Sequence, residues 1–425
     1  LYLTHFGHNS MYRNNGDGTF TDITDSAGVD DPRWSSTAAF ADWDSDGYLD
    51  LYVANYTVFD ASHPPYEGKK ICHFLDITTT CGPTGLKGVT DLLLWNSGRA
   101  SFQRLDQGEL VKAKYYGLGV MPFDANEDGL LDIYVANDTT PNFLFVNRGN
   151  RQFTEEALLY GLAYSGDGRV QAGMGIAAGD LGDDGREELI VTNFSHDTNT
   201  VYQNSGSPPF EDISQRSGFG MATFHYLSWG VLLRDLDLDG DLDIFIANGH
   251  TYPEVDQRDL GTSYRERNQA FTNVGGQLQE ATQASGPGLE VIESSRAAVV
   301  ADYDNDGDED ALVTNIDAPP TLLRNDQANG NQWLQLRLVG KRSNRDGIGA
   351  LVTVWAGQRS WTRTVQTAAG YLGSNDPTLC FGLGQARQVD KLRIRWPSGT
   401  VDEIEKVEPG RLHLVVEGRG VVARR

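Results

Sequence analysis

Asp235-Leu-Asp-Leu-Asp-Gly-Asp-Leu-Asp243, leading directly into Ile244-Phe-Ile-Ala-Asn248, is the stretch that decides how this chain folds. Carboxylates stand at positions 1, 3, 5 and 9 of a nine-residue loop, and Gly240 stands at position 6. A hard divalent cation such as calcium gathers about six to eight oxygens at roughly 2.3–2.6 Å, and alternate residues of a tightly curled loop can supply them. The glycine permits the left-handed turn that closes the loop, and the carbonyl of position 7 adds a further oxygen. An EF-hand would place its last acid at position 12, between two helices. Here the last acid comes at position 9 and a β-forming run follows at once, so the reading is a calcium loop between two β-strands.

Four more windows repeat the pattern: DWDSDGYLD from Asp42 to Asp50, DANEDGLLD from Asp124 to Asp132, DLGDDGREE from Asp180 to Glu188 and DYDNDGDED from Asp302 to Asp310. The expected side-chain ligands are Asp42, Asp44, Asp46 and Asp50; Asp124, Asn126, Asp128 and Asp132; Asp180, Asp184 and Glu188; Asp235, Asp237, Asp239 and Asp243; and Asp302, Asp304, Asp306 and Asp310. Position 7 supplies Tyr48, Leu130, Arg186, Asp241 and Asp308 through their carbonyls. About five Ca2+ sites follow from this spacing. The Asp180 loop is the weakest, because Gly182 replaces a ligand and Glu188 replaces the closing aspartate.

The 425 residues carry a formal charge of −24, and 24 of the 59 acids lie inside the five windows. One calcium in each loop would bring the net to about −14. This acidity is mostly metal-site chemistry and argues against a nucleic-acid partner. The 48 glycines and the short β-branched runs point to an all-β protein with many tight turns. No apolar run approaches the roughly eighteen residues that a membrane-crossing helix needs, so no transmembrane segment is expected. The expected location is extracellular or periplasmic. The sequence opens at Leu1 in mid-pattern, and a signal peptide is not part of it. Of the three cysteines, Cys72 and Cys81 share one loop and Cys380 lies in a distant apolar run. A local Cys72–Cys81 disulfide is expected in an oxidising compartment, the alternative being two free thiols in a cytosolic protein. Low-affinity calcium loops also suit the outside of the cell, where calcium is millimolar.

After each loop come an apolar pair, an asparagine, a turn and another strand, as in FLFVNRGNRQFTEE at 143–156. Turns of this kind between alternating strands are hairpin signals. Each unit reads as four short strands, and repetition of such units predicts a β-propeller of six to seven four-stranded blades across residues 1–328. Leu1–Thr4 reads as the second strand of its blade, and residues 56–91 read as an insertion that carries the cysteine pair. From 329 to 425 come strands without acidic loops, among them WLQLRLVG, GALVTVWAG and LHLVVEG. They predict a β-sandwich-like domain that ends near Gly418 with a short basic tail.

The repeats resemble the FG-GAP/VCBS units of integrin-type β-propellers. NGHTYPEVD (248–256), SSRAAVVADYDNDGDED (294–310), SNRDGIGALVTV (343–354), GYLGSNDPTLCFGLG (370–384) and WPSG (396–399) are similar to a narrower group. That group is the cartilage acidic protein 1-like family carrying the ASPIC/UnbV domain, which also includes proteins of enediyne gene clusters. CHFLDITTTCGPTGL in the insertion is similar to the same family, whereas Ala297 stands where the family usually has glycine. The resemblance covers nearly the whole chain. It implies an exported calcium-binding protein and leaves any biochemical activity open.

In a propeller the acidic loops would share one face and the remaining connections the other. Seven of the eight histidines (His5, His8, His63, His73, His196, His225 and His250) fall in or beside those opposite connections, and His413 does not. Tyr115, Tyr116, Tyr226, Tyr252, Glu254, Asp256 and Arg296 join them, forming a candidate binding mouth. The asparagines ending the second strands (Asn55, Asn137, Asn193, Asn248 and Asn315) are read as amides that bond neighbouring backbone. No GxSxG elbow, phosphate loop or matched Cys/His spacing occurs. The first expectation is therefore a calcium-stiffened protein that binds a protein or glycan partner through this mouth, or serves as a subunit of a larger envelope or extracellular assembly. The alternative is an enzyme acting on a small organic substrate there, with His250, Tyr252, Glu254 and His225 as its candidate catalytic residues.

Overall fold

A computed structural model describes residues 1–63, 72–98, 101–105, 108, 110, 114–327 and 329–424. The chain is all-β, built of many small sheets. Six antiparallel sheets of three or four strands follow one another through residues 2–323, with two two-stranded ones beside them among the described residues. The fifth shows the common plan. Ser228–Arg234 pairs with Asp243–Asn248 across the Asp235 loop, then Gln269–Val274 and Gln277–Glu280 complete the sheet as a hairpin. Strand forms here because Ile244, Phe245, Ile246 and Ala247 are β-formers buried on both faces.

The expected propeller of six to seven four-stranded blades is not what the sheets make. Among the described residues none of them closes on itself or curls into a barrel. The first sheet has three strands, starting at Tyr2–Leu3, and the sixth stops after Ala318–Leu323. The expected domain boundary falls at residue 328, and part of the expected insertion at 64–71; both lie outside the described residues.

The first strands of successive sheets pack side by side. Ser35–Ala41 lies against Gly117–Phe123, then come Ile176–Gly179, Ser228–Arg234 and Ser295–Ala301 in turn. This closeness needs small side chains. A Cβ on Gly175 would lie 1.9 Å from the Trp229 carbonyl oxygen, so no other residue fits without moving backbone.

The C-terminal part holds two four-stranded sheets. One runs Leu379–Gly384, Gln332–Val339, Leu412–Val416, Gly420–Arg424, with Gln332–Val339 and Leu412–Val416 parallel. The other runs Arg359–Thr364, Leu351–Ala356, Val389–Arg395, Val401–Val407. The segment read as a basic tail is thus the edge strand Gly420–Arg424. The inward residues Leu334, Leu336, Val352, Val354, Phe381 and Ile394 join one continuous core with Val120, Ile133, Tyr134 and Phe145 of the repeat region. Between the two sheets' strands a hairpin, Ala368–Ala369 with Gly373–Ser374, reaches among the packed first strands and bridges to Ile176 through Gly370. Tyr371 at its tip packs against Trp229 at a tilt of 45°, with ring centroids 4.7 Å apart.

Glu417 fastens the turn at Lys341–Ser343 to the end of the parallel strand. Its carboxylate accepts the backbone N–H groups of Lys341, Arg342 and Ser343 at 2.7, 2.8 and 2.9 Å, and the Ser398 hydroxyl as well. Burial alone would raise this carboxyl. The Ser398 hydroxyl and the three N–H groups outweigh burial and hold it at about 2. The folded pKa is depressed, so this stabilisation is complete above the unfolded value near 4.5 and is lost as pH falls from there toward 2. Glu417→Gln is expected to cost on the order of 2 kcal/mol at pH 7 and to flatten the fall in Tm across that acid window, as read by thermal melts from pH 2 to 7.

Candidate metal centre and the opposite face

Each acidic loop is shaped by its own carboxylates. In the first, Asp42 accepts the N–H groups of Asp46 and Gly47, both at 3.0 Å. Asp124, Asp180 and Asp302 do the same for positions 5 and 6 of their loops. The residue at position 4 turns left-handed in all five loops, with φ between 53° and 63° at Ser45, Glu127, Asp183, Leu238 and Asn305. Position 6 does so too, and glycine fills it every time. Two residues with positive φ bracketing position 5 curl the loop so that positions 1, 3 and 5 face inward.

The closing acid has a second task that spacing alone does not reveal. Asp243 accepts the Leu236 N–H at 3.0 Å from its own loop and the Asn273 N–H at 3.0 Å from the next hairpin. Asp50, Asp132, Glu188 and Asp310 repeat both bonds, with Asn96, Asn147, Asn204 and Asn325 as the hairpin donors. The amides of three of those asparagines then reach the preceding sheet, while that of Asn96 bonds Leu49 O in its own loop. Asn147 donates to Trp43 O, Asn273 to Leu181 O and Asn325 to Leu236 O, each at 2.8 Å. The hairpin asparagine is therefore a site residue missed by the sequence reading, although its recurrence after every apolar pair was the signal.

Three loops bring acids together in a manner suited to a cation. Asp42, Asp44 and Asp50 hold ligand oxygens within 4.8 Å of one another, as do Asp235, Asp237 and Asp239, and Asp302, Asp304 and Asp306. Among the described residues the Asp124 and Asp180 loops form no such trio of acids, since position 3 is Asn126 in one and Gly182 in the other. Asp235 is 2 % exposed, and its Oδ1 has no hydrogen-bond partner, while Oδ2 takes Gly240 N–H at 3.0 Å and Gly382 N–H at 2.9 Å. A buried carboxylate oxygen left bare is costly and calls for a cation. Burial pushes Asp50, Asp132, Asp235 and Asp243 up to about 8, and Glu188 likewise. The donor set of clustered carboxylate oxygens suits calcium.

The C-terminal sheets sit directly over these loops. Gln335 donates to Asp302 at 2.8 Å, Arg363 to Gly240 O at 2.8 Å and Arg359 to Asp239 O at 2.8 Å. Arg395 approaches Asp124 at 4.0 Å, and Gln366 donates to Glu187 at 3.3 Å.

On the other side, His250 is fully buried. Its Nδ1 accepts the Tyr252 N–H at 3.0 Å, so Nε2 carries the proton and donates to Ser195 Oγ at 3.0 Å. Burial first, and Arg296 second, lower this imidazole to about 3, so it is neutral at physiological pH. Phe74 of the insertion packs on it at 5.3 Å, with Phe194 and Tyr252 completing the cluster. The insertion is tied by a Cys72–Cys81 disulfide. Glu254 lies on the short turn Pro253–Gln257, and Asp256 accepts the Tyr264 N–H at 2.9 Å. His196 and His225 stack edge-on at 5.4 Å, while His5, His8, His63 and His73 are exposed. Tyr116 is buried, Tyr115 is exposed, Tyr226 is half-buried, and His413 is buried in the C-terminal core. Arg296 lies over Trp229 at 4.5 Å and donates to the carbonyls of Gly249 and His250. The second-strand asparagines bond backbone as expected: Asn55 to Thr90 O, Asn137 to Pro141 O, Asn193 to Thr198 O, Asn248 to Arg267 O and Asn315 to Pro319 O.

Comparison with known proteins matches residues 340–422 to the ASPIC and UnbV family, and residues 1–53, 124–191 and 180–246 to the FG-GAP-like repeat. Cartilage acidic protein 1 of Homo sapiens is 28% identical over 292 residues, covering 67% of this chain and 41% of that protein. Its counterpart in Mus musculus is 25% identical over 384 residues, covering 89% of this chain and 54% of that protein. The chain spans about half the length of these relatives. Among solved structures, an Agrocybe aegerita lectin studied for recognition of non-reducing terminal N-acetylglucosamine aligns with a TM-score of 0.40 and 16% identity, covering 77% of this chain and 80% of its own. That likeness is too loose to bear on ligand or fold.

The two roles of the loop acids separate in a melt. Asp243→Ala strips two buried N–H groups of their acceptor and is expected to cost about 2–4 kcal/mol with or without calcium. Asp237→Ala, at a position that faces the loop interior, is expected to lower Tm in calcium and to change it little in chelator, checked by thermal unfolding of both variants in calcium and in EGTA.

Proposed function

Because this chain belongs with the FG-GAP-like repeat proteins that carry a C-terminal ASPIC and UnbV domain, homologous to cartilage acidic protein 1, we propose that it is a calcium-binding protein of the extracellular or periplasmic space that engages a protein or glycan partner through the face opposite its acidic loops. The observation that carries the metal half is the convergence of three carboxylates in each of three loops, with a bare buried oxygen on Asp235. About five calcium ions would then stiffen the molecule, one per loop, with the Asp180 loop binding least well. The disulfide in the insertion supports an oxidising compartment. Among the described residues no helix is long and apolar enough to cross a membrane.

The partner half rests on what remains exposed. The acidic-loop side is covered by the C-terminal sheets, which leaves the other side for recognition. There Phe6 and Phe59 stand exposed around Trp34, with ring centroids 5.1 and 5.9 Å from it, and Tyr56 backs Trp34 at 5.1 Å. Exposed aromatic groups on a firm base favour both sugar stacking and protein contact. The enzyme alternative draws no support from His250, whose ring is buried with both nitrogens engaged.

Removing calcium with EGTA is expected to lower Tm by 10 °C or more, on the order of the effect of several sites occupied well above their Kd. An unchanged melt together with no calcium by elemental analysis ends the metal reading. For the partner, glycan-array binding and pull-down with mass spectrometry should lose their hits when Phe6→Ala and Phe59→Ala are combined, while Tm stays within about 1 °C. Equal retention by the variant removes this surface from consideration.

A further inference from the structure

The Asp235 loop differs from the other four in what covers it. Its window holds five aspartates, the strand Leu379–Gly384 lays a backbone N–H on Asp235, and two guanidinium groups come from Arg359–Thr364. Arg359 bonds Asp239 O and pairs with both Asp241 and Asp183, and Arg363 bonds Gly240 O. Gly384 N–H adds a bond to Leu238 O at 3.0 Å, and Trp361 lies against Gly240. Two guanidinium groups thus face the five aspartates of this window, and Arg359 is shared with Asp183. Asp235 Oδ1 is buried and bare in the middle of them.

We propose that the Asp235–Asp243 loop is a composite site, in which a divalent cation and the C-terminal strands grip the same carboxylates, so that metal loading and seating of those strands are thermodynamically linked. The inference rests on the reading of the loops as calcium sites and adds to it a partner for one of them. The linkage follows from the shared carboxylate. Oδ2 of Asp235 is held by Gly240 and Gly382, which leaves Oδ1 as the oxygen open to a cation. A cation bound at Oδ1 immobilises the same carboxylate for Gly382. By reciprocity, whatever factor the cation lends to seating, seating lends to the cation.

Gly382 offers a test that alters no ligand and no charge. A Cβ there would lie 2.2 Å from Asp235 Oδ2 and 2.4 Å from the Leu238 carbonyl carbon, so Gly382→Ala must push the strand off the loop. The full chain is titrated with calcium against a chromophoric chelator, wild type beside Gly382→Ala. Hydrogen exchange of 379–384 is followed in wild type in calcium and in EGTA, so that a poorly folding variant does not end the test. The expected result is one site about tenfold weaker in Gly382→Ala, and exchange across 379–384 about tenfold faster in EGTA than in calcium. If calcium binds but exchange there is unchanged and the variant titrates like wild type, the linkage is wrong while the metal reading stands. Zero bound calcium in wild type overturns both.

Discussion

A carboxylate shared between two backbone N–H groups is the contact on which the repeat region depends. The closing acid of each loop accepts one N–H from its own loop and one from the following hairpin, as Asp243 does with Leu236 and Asn273. Hydrogen bonds to a charged acceptor are worth about 1.5–3 kcal/mol each, and leaving either donor bare in the interior costs as much again. Five copies of this bond pair fix where the second strand starts and where the third strand ends. In three repeats the hairpin asparagine carries the constraint outward, since its amide takes a carbonyl of the sheet before it. Loop, sheet and neighbouring sheet are one hydrogen-bonded unit.

Concentrating so many acids on one side creates an electrostatic problem with two answers. One is the cation that the loop geometry invites. The other is the C-terminal sheets, which bring Arg359, Arg363 and Arg395 and the amides of Gln335 and Gln366 to the same loops. Apolar packing accompanies these contacts, for the core of Leu334, Leu336 and Phe381 is continuous with that of Ile133 and Phe145. The far side of the molecule is freed for other use. Its histidine-rich centre is filled from within by Phe74, held on the disulfide-tied insertion, and its exposed aromatic groups lie farther out around Trp34.

Much of the local structure was legible in the sequence because it depends on short-range chemistry. The positions of loops, second strands and hairpins follow from aspartate spacing, glycine at position 6 and the run of β-formers after each loop. The backbone role of Asn55, Asn137 and Asn193 was likewise readable from residue type. The assembly was not. Four-stranded repeats suggest a closed ring, yet among the described residues no sheet closes. How successive sheets pack on one another is decided by contacts between distant residues, and no local pattern encodes that. The burial of His250 was illegible for a related reason: a histidine in a connection looks accessible until Phe74, more than 170 residues earlier, is seen lying on it.

By itself, then, the sequence determined an all-β chain of acidic, calcium-suited loops, each followed by a strand and a hairpin, because these are set by residues within nine positions of one another. Only the tertiary structure decided that the C-terminal sheets cover those loops, that a hairpin around Tyr371 enters among the first strands, and that Asp235 keeps one oxygen bare. Those outcomes rest on contacts between residues more than 100 positions apart, whose pairing is chosen by shape, burial and charge after the local elements have formed.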